Sequence, residues 1–212
     1  MEERLSNNGK PAFWDEASAH LIGRDRILKK LIPHHASEWL APSATPFTTL
    51  ARSIVGQQIS TRAADSVWER FAHLCVGRLT PNAVLAASGE DLRAVGLSRR
   101  KVGYIQDLAH YFAEKKVRPA RWGTMDDEAI VTELCTIRGV GRWTAEMFLI
   151  FGLRRPDVLP LDDASLLRAI SLYYFSGEPV SRFEAREVAQ AWSPWRTVAT
   201  WYLWRSLDAA PL

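Results

Sequence analysis

Apolar residues recur along most of this chain at spacings of three and four, the signature of a helix with one buried face. Phe47, Leu50, Ile54 and Val55 form such a stripe behind Thr45-Pro46, running to about Gln58. Ser60 or Thr61 can cap a second helix through Val67, Trp68 and Phe71. Thr80-Pro81 joins a cap to a proline at the first helical position and opens a short helix around Val84 and Leu85. Ser88 can cap another that ends near Gly96, and a longer helix follows from Ser98 through Val102, Ile105, Leu108, Ala109 and Phe112. Residues 125–134, 143–153, 163–174, 182–191 and 195–207 complete the predicted elements, with Gly139 and Pro156 as stops. No helix is assigned before Thr45. Strand signals are weak, and neither a repeat nor a low-complexity linker is evident. The pattern predicts an all-α fold with short connections.

Length and composition narrow this only a little. A chain of 212 residues can bury one sizeable core or two small ones. Hydrophobic residues at 47% and charged residues at 24% are ordinary for a soluble globular protein. A formal net charge of +3 permits a polyanionic partner without demanding one. Nine tryptophans are unusual for this length; some belong to the core, but flat amphipathic rings also suit base stacking. Cys75 and Cys135 lie in no CxxC or Cys/His cluster, which argues against structural zinc and iron–sulfur ligation. Free thiols fit a reducing compartment, although two could pair. His20, His34, His35, His73 and His110 lack metal spacing and read as structural or surface residues. The polar N-terminal stretch does not read as a signal peptide, and no apolar run reaches the length of a bilayer span. The expectation is a soluble, intracellular protein with no membrane contact.

The most informative segment is 134–153, LCTIRGVGRWTAEMFLIFGL. One helix ends, Gly139-Val140-Gly141 turns, and a second helix starts at once. Gly139 and Gly141 allow the conformations of a tight turn and let another chain come close. The following helix offers unpaired N–H groups and the positive end of its dipole, a ready phosphate site. Arg138 and Arg142 add charge. A plain helix–helix connector uses glycines too, so the hairpin alone does not decide.

Its context does. Downstream comes Val158-Leu159-Pro160-Leu161-Asp162-Asp163-Ala164-Ser165-Leu166-Leu167-Arg168; upstream lie FTTLARSIVGQQIS at 47–60 and Gly96-Leu97-Ser98-Arg99-Arg100-Lys101; near the C-terminus lies Trp192-Ser193-Pro194-Trp195-Arg196. In this order, over roughly residues 45–205, the chain resembles the helix-hairpin-helix DNA glycosylases, and among them the 3-methyladenine DNA glycosylase II family. The resemblance implies two α-helical lobes with the active site in the cleft between them. A six-helix barrel would span 46–157, and residues 1–45 plus 158–212 would form the second lobe. Longer members carry an N-terminal β-rich domain, and the expectation here is a short form without it. The iron–sulfur branch is set apart by a C-terminal cysteine cluster that this sequence does not show.

The same resemblance implies roles. Asp163, five residues before Arg168, takes the place of the catalytic acid, with Asp162 as its neighbour and rival. Aspartate ahead of a helix is also among the commonest caps, and both roles are compatible. A fixed carboxylate stabilises the oxocarbenium character that develops when a glycosidic bond breaks, and it can orient or deprotonate the attacking water. Trp143 stands where bifunctional relatives carry a nucleophilic lysine, so a monofunctional enzyme using water is expected. Trp143, Met147 and Trp195 are the candidate base pocket; Met147 replaces an aromatic residue of some relatives and stacks less well. Gln58 is the candidate wedge that fills the stack once a base is flipped, with Gln57 in competition. Arg99, Arg100 and Lys101 at an auxiliary hairpin, with Arg138, Gly139, Val140, Gly141 and Arg142, are candidate DNA-binding residues. The carbonyls of Cys135, Ile137 and Val140 are matched to a site for a sodium or potassium ion; no other cofactor is implied. The implied partner is double-stranded DNA with damaged bases, met by a monomer in a bacterial cytoplasm or nucleoid or a eukaryotic nucleus. The implied reaction is hydrolytic excision of 3-methyladenine and 7-methylguanine. Two alternatives stay open: a sister enzyme for deaminated or oxidised bases, and a binding module of this fold without catalysis.

Overall fold

The computed structural model describes residues 9–41, 44–75 and 78–208. The polar N-terminal stretch begins in residues 1–8, which lie outside the described residues. The described residues form helices and connections without a strand. The helices are α1 (Trp14–Arg24), α2 (Leu28–His34), α3 (Pro46–Gly56), α4 (Thr61–Leu74), α5 (Pro81–Ala86), α6 (Gly89–Ala94) and α7 (Arg99–Ala113). They continue as α8 (Pro119–Trp122), α9 (Asp127–Cys135), α10 (Arg142–Phe151), α11 (Ala164–Tyr174), α12 (Arg182–Ala189) and α13 (Arg196–Asp208), with a 3-10 turn at Gln190–Trp192. No described helix is long and apolar enough to cross a membrane.

The starts of these helices follow from side-chain chemistry. Thr45, Ser60, Thr80, Ser88, Ser98, Asp126, Asp163 and Ser181 each turn an oxygen onto an N–H of the first turn, supplying an acceptor that the helix cannot provide itself. The reading that left Ser60 and Thr61 as alternatives resolves to Ser60, whose Oγ accepts from Ala63 N at 3.3 Å. Three helices went unassigned from the sequence: α1, α2 and the single turn of α8. α2 is seven residues long with Pro33 inside it, too short for a periodic stripe to emerge.

The chain divides into two compact units, Met1–Pro42 with Leu149–Leu212 and Ser43–Phe148. The sequence-derived borders stood at 45/46 and 157/158; the observed division falls inside α10 rather than beyond it. Residues 43–148 are organised around α3, which packs on α4 and α7, while α5 packs on α7. Their core carries a run of edge-to-face rings, Phe47 on Phe112, Phe112 on Trp122 and Trp122 on Phe148, the last pair 5.0 Å apart at 71°. Trp122 Nε1 donates to Glu133 Oε1 at 3.1 Å, which ties α8 to α9 and satisfies the indole in a dry place. In the other unit α13 packs on α1, α2 and α11. Trp14 meets Trp201 edge-on at 5.2 Å, and its Nε1 donates to the Tyr202 hydroxyl at 3.1 Å.

Candidate functional site

The hairpin between α9 and α10 is built by short local bonds. Ile137 N donates to Leu134 O and Val140 N to Ile137 O, both at 3.0 Å, and Ala145 N then picks up Gly141 O at 3.0 Å to start the new helix. Gly139 sits at φ +91°, and a Cβ there would lie 2.2 Å from Cγ of Tyr104. Only glycine meets both conditions. Gly141 is different from what the sequence suggested: its φ lies outside the left-handed region, and a Cβ there would project into open space. The left-handed turn of the hairpin falls on Gly139, and Gly141 leaves open space beside it.

Both arginines of the hairpin hold carboxylates. Arg138 bonds to Asp107 and lies over the Tyr104 ring. Arg142 grips Glu128 through two bonds of 2.9 and 2.6 Å and reaches Glu146 at 3.5 Å. The bonds to Glu128 hold its guanidinium above the ordinary arginine range. The Arg138–Asp107 and Arg142–Glu128 pairs are largely exposed, whereas Glu146 is buried.

The turn after α3 lies against this hairpin. Gln57 is half-buried, and its Nε2 donates to Gly139 O at 2.9 Å and to Thr144 Oγ1 at 3.0 Å. Gln58 follows at φ +58°, exposed, with its Oε1 accepting from Arg100 at 3.0 Å. The left-handed backbone swings the two glutamines apart: one is fastened inward, the other presented outward. Ile59 beside them is 41% exposed, an apolar side chain at a polar turn that the sequence reading passed over. Lys101 donates Nζ to Val55 O at 2.7 Å, caps the end of α3, and is depressed below the usual lysine range by burial and by Arg100. Arg99 is exposed at the start of α7. Trp143 is half-buried at the start of α10, and Met147 one turn on is buried.

The two neighbouring aspartates differ sharply. Asp162 is exposed and pairs with Arg182 at 2.6 Å. Asp163 is 8% exposed and caps α11, its Oδ1 accepting from Leu166 N at 2.7 Å and from Trp204 Nε1 at 2.9 Å. Phe151 lies parallel to the Trp204 ring at 5.7 Å and 11°. The approach to Asp163 is equally fixed. Asp157 takes Arg196 through Nε and Nη2, each at 2.7 Å, and Thr197 Oγ1 both accepts from Val158 N at 2.9 Å and donates to Arg155 O at 2.6 Å. Trp195, expected in the pocket, lies against Phe13 at 5.7 Å and 16°. The aromatic residue bonded to Asp163 is Trp204, which the sequence reading missed. Its signal was a tryptophan three residues after buried Trp201 on one helix, with an indole N–H needing an acceptor.

A family model for the HhH-GPD superfamily base excision DNA repair proteins matches residues 51–194, from α3 through the 3-10 turn before α13. The chain belongs to this superfamily. A Saccharomyces cerevisiae DNA-3-methyladenine glycosylase is 31% identical over 234 residues, covering 91% of this chain and 79% of its own length. Among solved structures, the Schizosaccharomyces pombe 3-methyladenine DNA glycosylase Mag1 in complex with abasic DNA superposes with a TM-score of 0.84 at 28% identity, covering 92% of this chain and 98% of that one. A DNA-3-methyladenine glycosidase from Bacillus halodurans gives 0.76 at 32% identity, with 90% and 88% covered. The all-α fold agrees with that of these structures, and the relatives place the chain in the glycosylase hydrolase class.

Proposed function

We propose that this protein is a monofunctional glycosylase that flips alkylated purines out of duplex DNA and hydrolyses their N-glycosidic bond. The observation that carries the reading is the buried carboxylate of Asp163, oriented at a helix N-terminus by Leu166 N and Trp204 Nε1, beside an Asp162 that is exposed and spent on Arg182. An alkylated purine such as 3-methyladenine is cationic, so it leaves as a neutral base with the electron pair of the breaking bond. Positive charge then builds on the sugar, where a fixed anion stabilises it. Water adds its oxygen to C1′ and loses a proton, for which Asp163 is the acceptor at hand. Trp143 and Met147 are the proposed wall for the flipped base; a tryptophan face attracts a cationic ring. Gln58, with Ile59, is the proposed brace for the gap left in the stack.

The hairpin is the proposed phosphate grip. Its bare Gly141 admits a backbone, α10 offers its N-terminus, and Arg138 and Arg142 supply charge. The carbonyls of Cys135, Ile137 and Val140 are the proposed oxygen donors for a sodium or potassium ion, a donor type that suits such hard cations; Ile137 O also accepts from Val140 N. Such an ion would add positive charge beside the phosphate. One chain carries acid, wedge and hairpin together, so the reading calls for a monomer. Trp143 offers no amine for a Schiff base.

The test is release of free base from duplexes with 3-methyladenine, 7-methylguanine, hypoxanthine or 8-oxoguanine, with borohydride in a parallel reaction. The reading expects release of the alkylated bases, intact abasic strands until alkali is added, and no borohydride-trapped complex. A trapped complex would overturn the monofunctional assignment, and release confined to hypoxanthine or 8-oxoguanine would overturn the substrate class.

A further inference from the structure

Residues 56–60 and 139–144 are joined by one side chain. Gln57 is the C-cap of α3, just past its last residue, and its amide nitrogen carries the hydrogens that meet Gly139 O at 2.9 Å and Thr144 Oγ1 at 3.0 Å. Glutamine suits this place because a single nitrogen donates twice; glutamate would bring only acceptors against two oxygens, and methionine none. The acceptor peptide is closely packed, since the Tyr104 ring fills the space beside Gly139. α7 backs both segments: Lys101 and Arg100 hold Val55 O and Gln58 Oε1, while Tyr104 lies against Gly139 and beneath Arg138.

We propose that Gln57 is a positioning residue that couples the two halves of DNA engagement, so that gripping a phosphate at the hairpin drives Gln58 and Ile59 into the base stack. The inference rests on the wedge and hairpin roles proposed above. Gln57 itself need not touch the DNA. Its part is to stop the turn from yielding when the stack resists insertion, a role in which a small displacement costs rate rather than affinity. Without the amide the hairpin still binds phosphate, but the wedge is no longer braced by it.

The experiment compares wild type with Gln57→Met on 7-methylguanine duplexes, one with the lesion paired to cytosine and one with it opposite an abasic site. A lesion without a partner needs little help to leave the stack. Gln57→Met is expected to slow single-turnover release from the paired duplex about tenfold, the size of losing one or two neutral hydrogen bonds. Release opposite the abasic site and Kd for undamaged duplex should stay within about twofold. Equal losses on both duplexes, or no loss on either, would overturn the coupling. Should Gln57→Met fail to fold, Thr144→Val removes one acceptor and carries the same comparison. If wild type releases no base from either duplex, the enzymatic reading fails on its own, and 2-aminopurine beside the lesion still reports insertion: a Gln57→Met signal equal to wild type then sinks the coupling.

Discussion

At Gly139 a φ of +91° and the Tyr104 ring 2.2 Å from a would-be Cβ impose separate demands, while Gly141 has neither. Gly139→Ala should therefore cost about 1–3 kcal/mol from the backbone alone, and more from the clash, read as a lowered Tm. Gly141→Ala should fold with unchanged Tm yet bind undamaged duplex more weakly, because its added methyl stands where a phosphate approaches. The sequence made both glycines look alike, since a Gly-Val-Gly string does not say which residue turns the chain. The aspartates were similarly ambiguous by one position. Chain order fixed the pair, but only packing separates a buried helix cap from an exposed partner of Arg182. Trp204 was illegible for a related reason: its bond to Asp163 joins residues 41 apart, and no local pattern carries such a contact.

Between elements, the clearest device is the carboxylate of Asp25. It caps α2 through Ile27 N and Leu28 N at 2.8 and 2.9 Å, and its other oxygen accepts from the Tyr174 hydroxyl at 2.8 Å and Trp192 Nε1 at 3.0 Å. One side chain thus ties α2, α11 and the 3-10 turn. Burial, then the charge of Asp25, pushes the Tyr174 phenol well above its ordinary value of 10.0. A raised phenol stays neutral in the fold, so its contribution is complete below about pH 10 and is lost as pH rises beyond that. Wild-type Tm should fall from about pH 10 upward, and Tyr174→Phe should show a shallower fall over that window. The variant should be less stable at neutral pH by about 1–3 kcal/mol, for a lost bond to a charged acceptor. A parallel alkaline fall in both proteins would remove Tyr174 from the account. The region holding α1 and α2 was the least legible from sequence. Trp14, Ala17 and Leu21 do face inward at helical spacing, but the stripe is brief, and α2 is only seven residues long, its start held by Asp25 Oδ1 through Ile27 N and Leu28 N.

At the scale of the whole molecule, helical periodicity and cap chemistry named ten of the thirteen α-helices among the described residues, because eight helix starts carry a Ser, Thr or Asp that does what its type predicts. The division inside α10 was not legible, since a continuous helix gives no break in pattern at Phe148. Membership of the superfamily brings the reaction class; what the chain adds is a particular carboxylate. The decisive measurement is release of 3-methyladenine from methylated duplex DNA under single-turnover conditions by wild type, Asp163→Asn and Asp162→Asn. The account predicts release by wild type, a loss of at least about a hundredfold in Asp163→Asn, and a change within about threefold in Asp162→Asn. No release by wild type, or an inactive Asp162→Asn beside an active Asp163→Asn, would contradict it.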